Sequence, residues 1–206
     1  KYSETNRMIR DKLFRKVTGI SDEDVIVELE KMASVQSLRK GEMYIHRGEP
    51  EMQVAFLLSG GIKTFLIQDN GSMYVNCLEA RQYAPLLTNG SGPHAPALMN
   101  IQTIADTEIL KVPMDLVWRL REENPQVASV YDTWLLRYLQ EHQEHKQVLC
   151  LPTEDRLRWL AEKRPDLVRI ASQKDIALFL NMTPERLSTV KKQLLEDSAF
   201  CEKHKL

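Results

Sequence analysis

Long apolar runs are missing from this 206-residue sequence. None approaches the roughly 18 residues that a membrane-spanning helix needs. The first stretch, KYSETNRMIRDKLFRK, has no apolar core of the signal-peptide kind. Both absences point to a cytoplasmic chain without a membrane partner. Cysteine is scarce: Cys77, Cys150 and Cys201 are odd in number, far apart, and form no C-x-x-C pair. That spacing excludes a disulfide framework or a cysteine-ligated cluster and leaves isolated reduced thiols. Enzyme motifs are missing too. There is no P-loop, no H-E-x-x-H, and no Ser-His-Asp or Cys-His arrangement with supporting context. The chain therefore does not read as an enzyme, and no cofactor is implied. Surplus positive charge is absent, since the formal net charge is −1. Nucleic-acid binding would have to rest on a local basic face.

What is present is ordinary globular composition, 43% hydrophobic and 28% charged, in a length that allows one large domain or two small ones. Residues 1 to about 35 read as helical. Met8, Ile9, Leu13, Phe14 and Val17 form one amphipathic stretch ending at Gly19. Ser21-Asp22-Glu23-Asp24 caps a second, with Val25, Ile26, Leu29 and Met32 on its apolar face. From Val35 the period changes to alternation. Short strands are expected on both sides of Lys40-Gly41-Glu42, at Val54–Leu58, at Ile62–Ile67 and at Met73–Leu78, with a hairpin turn at Asp69-Asn70-Gly71-Ser72. This spacing predicts a small barrel or roll. The stretch 79–100 breaks the pattern with prolines and glycines and reads as a long loop. Two more strands follow on either side of Asp106-Thr107.

A long helical tract comes next. Met114–Arg121 is a short helix stopped before Asn124-Pro125. From Gln126 to about Leu149 a longer one runs without Gly or Pro. Ala128, Tyr131, Leu135, Tyr138, His142, His145 and Leu149 recur along it at steps of three and four. That face is either the seam of a homodimer or the face packed on its own β domain. His142 and His145 could supply two metal ligands, but no third is identifiable, so ordinary seam residues are expected and no metal site.

The most informative stretch is Ser172–Leu195. Ile176, Ala177 and Leu180 give the apolar face of one short helix; Leu187, Val190 and Leu194 give that of a second. Between them, Asn181 tolerates the left-handed conformation that ends a helix, and Thr183-Pro184 starts the next. This is a helix-turn-helix pattern, whose second helix reads the DNA major groove. From Thr183 to Leu195 three cations stand against the single carboxylate of Glu185, a modest basic signal. The expected DNA-facing residues are Ser172, Gln173, Lys174, Thr183, Pro184, Glu185, Arg186, Ser188, Thr189 and Lys192.

The segments GEMYIHRGEPEMQVAFLLSGGIKTFLIQDNG, TIADTEILKVP and QKDIALFLNMTPERLSTVKKQL occur in the order found in the Crp/Fnr transcription regulators. The chain resembles that family over nearly its full length. The resemblance implies an α+β protein of bacterial type. Its N-terminal part is a jelly-roll-like β-roll (a double-stranded β-helix) with flanking helices. A long dimerisation helix follows, and then an all-α, winged-helix-like helix-turn-helix domain with little or no wing. The implied boundaries are 1–125 for the effector-binding roll, 126–151 for the dimerisation helix and 152–206 for the DNA-binding domain. Operator DNA and a second copy are the implied partners, with RNA polymerase as a further candidate.

Two departures from the family pattern matter. The cyclic-nucleotide cassette carries a Gly-Glu pair and an Arg-x-Ala segment; here Tyr83-Ala84-Pro85-Leu86 and Ala97-Leu98-Met99 stand in their place. Burying a phosphate without a cation is costly, so cyclic AMP is not expected in the family's way. Tyr83, Leu86, Leu87, Ala97, Leu98 and Met99 are the expected pocket residues, suited to an apolar or mixed ligand or filled by their own side chains. Haem sensing occurs in parts of the family, and His46, His94 or Met99 are candidate axial ligands without local support. In the reading helix, Pro184 and Thr189 stand where family members often carry arginine. Glu185 matches the family and can accept from a cytosine amino group. The alternative function is a ligand-binding or protein-interaction module that has kept the fold and lost DNA binding.

Overall fold

The computed structural model describes residues 12–86 and 92–196. Expectations for Met8, Ile9, Leu87 and the segment after Glu196, including the wing, lie outside these residues. A π-helical turn at Lys12–Val17 is followed by α1 (Glu23–Met32). Asp22 caps α1, its carboxylate accepting from the Asp24 and Val25 amides. Val25, Ile26 and Leu29 face the core as expected, but Met32 is exposed, because the helix ends before its last turn meets a partner.

Among the described residues eight strands form two four-stranded antiparallel sheets. They are β1 (Ser34–Leu38), β2 (Met43–Ile45), β3 (Gln53–Ser59), β4 (Ile62–Ile67), β5 (Met73–Glu79), β6 (Pro85–Leu86), β7 (Asn100–Thr103) and β8 (Thr107–Pro113). One sheet has the order β1-β8-β3-β6 and the other β2-β7-β4-β5. Strands that adjoin in sequence, such as β1 and β2 or β7 and β8, thus sit in opposite sheets, the arrangement of a jelly roll. Among the described residues only β4 and β5 form a tight hairpin, with Phe65 opposite Val75 and Ile67 opposite Met73. Its turn is closed by Gly71 at φ +79° and by the Asn70 side chain, which accepts from the Ser72 amide. The stretch 79–100 is not only a loop. Pro85–Leu86 adds β6 to the edge of β3, where proline is tolerated because its missing donor faces no partner.

Helices α2 (Met114–Glu123) and α3 (Pro125–Val148) follow the roll. Asn124 caps α3, accepting from Gln126 and Val127, with Pro125 in the first helical position. The last four helices are α4 (Thr153–Lys163), α5 (Pro165–Ile170), α6 (Gln173–Phe179) and α7 (Pro184–Glu196). Pro152 precedes α4, which starts without a side-chain cap. No described helix is long and apolar enough to cross a membrane.

The core is in three parts. One lies between the first sheet and helices α1, α2 and α3, around Ile26, Phe56, Leu110 and Leu120. A second fills the roll, around Leu57, Ile101 and Ile109. The third joins the roll to the last four helices: Phe65, Val75, Leu78 and Ile104 share one cluster with Leu160, Leu167, Ile176 and Leu180. The helix-turn-helix unit is therefore packed on the β4–β5 hairpin, not carried on a free linker. Gly61 makes this approach possible. A Cβ there would stand 2.7 Å from the Ile170 Cδ1 and 3.0 Å from the Glu79 carbonyl oxygen.

Candidate functional site

Ser172 caps α6, its hydroxyl accepting from the Asp175 amide at 3.0 Å and donating to the Asp175 carboxylate at 2.7 Å. Ile176, Ala177 and Leu180 are buried. Asn181 takes φ +51°, and the Met182 amide returns to the Ala177 carbonyl at 2.9 Å, closing the helix end. Thr183 then accepts from the Arg186 amide at 3.1 Å, with Pro184 opening α7. Leu187, Val190 and Leu194 point inward, so the opposite face of α7 is presented to solvent. Ser188, Thr189 and Lys192 lie on that face with Glu185, and Ser172, Gln173 and Lys174 are exposed at the start of α6. The apolar faces of the two helices share one buried cluster, with Ala177 in it beside Ile176, Leu180, Leu187, Val190 and Leu194.

Five of the ten expected DNA-facing residues carry local duties: Ser172 and Thr183 cap their helices, Thr189 donates to the Glu185 carbonyl at 3.0 Å, and Glu185 and Arg186 are held as follows. Glu185 hydrogen-bonds its own amide and the Thr183 hydroxyl, which hold its carboxyl below the usual carboxylate range. Arg186 does not stand free. Its guanidinium donates to the Thr153 hydroxyl at 2.7 and 2.9 Å and to Glu154 at 2.8 Å, tying the start of α7 back to α4. This tie was invisible in the sequence because the partners are more than thirty positions apart.

Behind the helix pair, three sets of contacts hold the last four helices to the roll and to α3. Lys63 of β4 and Asp175 of α6 form an ion pair at 2.7 Å, with both side chains nearly buried. Arg164 joins the Glu79 carboxylate at 2.8 Å and Asp166 at 2.9 Å. His145 of α3 lies flat against Phe179, ring centroids 4.0 Å apart, and its Nε2–H donates to the Phe179 carbonyl at 3.0 Å.

The face of α3 therefore needs correction. Of the seven expected seam residues only Leu135 is exposed; His145 is buried, and Ala128, Tyr131, Tyr138, His142 and Leu149 are half-buried. Tyr131 packs on Trp118, and Tyr138 on His142. A step of three and four selects one face of a helix but not its partner, and here Tyr131, His142 and His145 meet the chain's own α2, β5 and α6. The apolar face left open is offset by one position: Leu135, Leu136 and Leu139 are 48%, 67% and 55% exposed.

A cavity of about 400 Å³ lies between this helix, the β4–β5 hairpin and the last helices. Tyr83 and Leu86 line it as expected, but Ala97, Leu98 and Met99 do not. Ala97 is in the core of the roll, Leu98 is exposed, and Met99 is half-buried away from the cavity. The cavity is lined by charge and aromatic rings more than by aliphatic groups. Arg81 forks between Glu79, with contacts from 2.5 to 3.2 Å, and Glu141, at 2.6 and 2.7 Å. Asn76 donates to His142 Nε2 at 3.0 Å, while His142 Nδ1–H donates to the Tyr138 carbonyl. Burial pushes the Cys77 thiol up to about 12, helped by Glu79, so it stays protonated. Arg81, Glu141 and Arg164 were not anticipated. The only sequence signal was a charged Glu79-Ala-Arg81 step at the end of an apolar strand. His46 and His94 are exposed, and neither they nor Met99 lines the cavity.

Burial lowers the pKa of both His142 and His145 below 6.5. The unfolded chain then takes up these protons first as pH falls. The stability they contribute is complete above about pH 6.5 and is lost as pH drops through the lowered native values. Acidification from neutral pH should reduce the thermal midpoint before the carboxylates titrate. His145→Gln, which keeps a donor for the Phe179 carbonyl, should flatten that slope. A midpoint that climbs on acidification contradicts this assignment.

No family model matches the sequence, and no curated protein matches it. Solved structures do match the fold. FixK2 from Bradyrhizobium japonicum superposes with TM-score 0.70 at 20% identity, covering 80% of this chain and 85% of that one. CLP of Xanthomonas campestris, a regulator described as responsive to cyclic di-GMP, gives 0.67 at 15%, covering 85% and 93%. A protein from Eubacterium rectale assigned to the Crp/Fnr family of transcriptional regulators gives 0.68 at 12%, covering 90% and 88%. The fold of this chain is that of the Crp/Fnr regulators: a β-roll, a long helix and a helix-turn-helix.

Proposed function

We propose that this chain, which has the Crp/Fnr fold, is a cytoplasmic, homodimeric, sequence-specific DNA-binding transcription regulator and not an enzyme. Residues 1–125 act as the effector-binding roll, 126–151 as the dimerisation helix and 152–206 as the DNA-binding domain. The observation that carries the reading is the exposed face of α7. Leu187, Val190 and Leu194 are turned inward, leaving Glu185, Ser188, Thr189 and Lys192 to meet a groove. Leu135, Leu136 and Leu139 support a two-fold partner, since three adjacent exposed leucines on one helix are otherwise an aggregation hazard. RNA polymerase is a further partner to test. A gel shift against a random duplex library, at stated salt, tests the central reading; no selected sequence would remove it.

Within that interface, Glu185→Ala is expected to relax base preference at one operator position, by about 1–3 kcal/mol of discrimination. Lys192→Ala is expected to weaken binding to all sequences and flatten the salt dependence. Operator selection with each variant separates the two roles.

The effector domain is not a cyclic AMP receptor of the family's kind. Pro85-Leu86 and Ala97-Leu98-Met99 supply neither carboxylate nor guanidinium. Calorimetry should give no saturable cyclic AMP complex; tight binding would sink this point. The second reading is a module that has kept the fold without DNA binding. The tie between Arg186 and α4 favours it, because it takes one cation off the reading face. The same gel shift decides between them.

A further inference from the structure

The cavity between α3, the β4–β5 hairpin and the last helices is within the roughly 300–1,000 Å³ usual for small-molecule sites. Three features describe what would fill it. First, its walls are flat and aromatic: Trp134 and Tyr138 from α3, Trp159 from α4 and Phe179 from α6 all line it. A planar body can stack there, whereas a flexible aliphatic chain would leave the ring faces poorly matched. Second, one buried polar atom has no partner. The Thr64 hydroxyl, on the roll side of the cavity, makes no hydrogen bond. A buried hydroxyl without a partner costs free energy that a ligand hydroxyl can recover.

Third, the uncommitted charge at the cavity is positive. Glu79 and Glu141 are already paired with guanidinium groups, and Glu144 accepts from the Trp159 indole. Lys163 lines the cavity and makes no ion pair among the described residues. Arg137 reaches Glu141 only at 3.8 Å and is 71% exposed. Glu141 is the less buried of the two carboxylates on Arg81, and Arg137 is one turn away on the same helix. An incoming carboxylate can take the place of Glu141 on Arg81, bidentate as guanidinium groups prefer, while Glu141 moves to Arg137. The exchange conserves ion pairs and leaves no carboxylate buried alone.

We propose that this cavity binds a planar phenolic carboxylate, its carboxylate on Arg81, its ring among the aromatic walls and its hydroxyl on Thr64. Arg81 bridges to α3 through Glu141 and, through Glu79 and Arg164, to the helix-turn-helix unit. Occupancy therefore bears on both elements that set the position of α7. The inference stands on the cavity, and it rests on the regulator reading only in making the ligand an effector.

The test uses the full chain and p-coumarate, with cinnamate, p-coumaramide and cyclic AMP as comparison arms. Binding is read by quenching of the tryptophans and by the thermal midpoint. Saturable p-coumarate binding is expected, at least about tenfold tighter than the amide, which lacks the charge for Arg81. Arg81→Gln should erase the preference for acid over amide. Thr64→Val, a near-isosteric change, should erase the preference for p-coumarate over cinnamate and leave cinnamate binding unchanged. This second variant keeps the test decisive if Arg81→Gln fails to fold. Absence of saturable p-coumarate binding in the millimolar range, equal binding of acid and amide, or a saturable cyclic AMP complex overturns the proposal. A gel shift without ligand on the same preparation reports DNA binding independently. The two readings can therefore fail separately.

Discussion

Asp175→Ala is expected to destabilise the protein by about 3–5 kcal/mol, the usual cost of leaving one member of a buried ion pair without its partner. Lys63 and Asp175 are 12% and 11% exposed, and Lys63 has the face of Phe65 beside it, 5.6 Å from the ring centroid. Water cannot readily replace the lost carboxylate. Asp175 also accepts from the Ser172 hydroxyl, so the cap of α6 is weakened at the same time. The double variant Lys63→Met/Asp175→Leu removes both charges and should recover most of the loss, because well-packed apolar replacements of a buried pair are often neutral. Denaturant titration of the two variants distinguishes the cases. Equal destabilisation by the single and double changes would mean that packing, not the unpaired lysine, sets the cost. The pair links a strand of the roll to the first helix of the helix-turn-helix unit, so its loss should also loosen the two from one another. Faster amide exchange in α6 would report that.

The second large effect is expected from Leu136→Glu combined with Leu139→Glu. Burying a leucine side chain is worth about 1.5–3 kcal/mol. In a two-fold interface each substitution is felt twice, so four leucines are lost and four carboxylates are brought together. With a factor of ten for every 1.4 kcal/mol, dimer affinity should fall by at least about 1,000-fold. Both residues are more than half exposed, so the stability of the single chain should change by no more than about 0.5 kcal/mol. Operator affinity should fall with the dimer, because two linked half-sites bind far better than one. Sedimentation equilibrium checks the first effect and a gel shift the second. A parent chain that sediments as a monomer would remove the dimer from the proposal.

What the sequence by itself determined are the features set by neighbours in the chain. Alternation from Val35 marked the roll, and Asp69-Asn70-Gly71-Ser72 marked its one tight hairpin. The left-handed Asn181 and the Thr183-Pro184 start fixed the bend between α6 and α7. Each depends on residues within four or five positions, where period and turn chemistry act directly. Pairing between strands was not legible in the same way. β1 meets β8 and β2 meets β7 across more than fifty residues, and alternation carries no record of the partner.

The same limit explains the two larger corrections. On α3 the repeat at three and four residues identified an apolar face, but the packed face and the face left open differ by a single step, from Trp134, against Phe56, to exposed Leu135. Only the packed roll decided which was which. In the cavity, Ala97, Leu98 and Met99 were expected from the resemblance to the family's cassette, and none of them lines it. Arg81, Glu141 and Arg164 are brought together from separate parts of the chain: Glu141 by α3 lying beside the end of β5, and Arg164 by the docking of the last helices. A charged residue in a sequence reads as solvated surface until a fold supplies its counter-ion, and here the counter-ions lie 60 and 85 positions away.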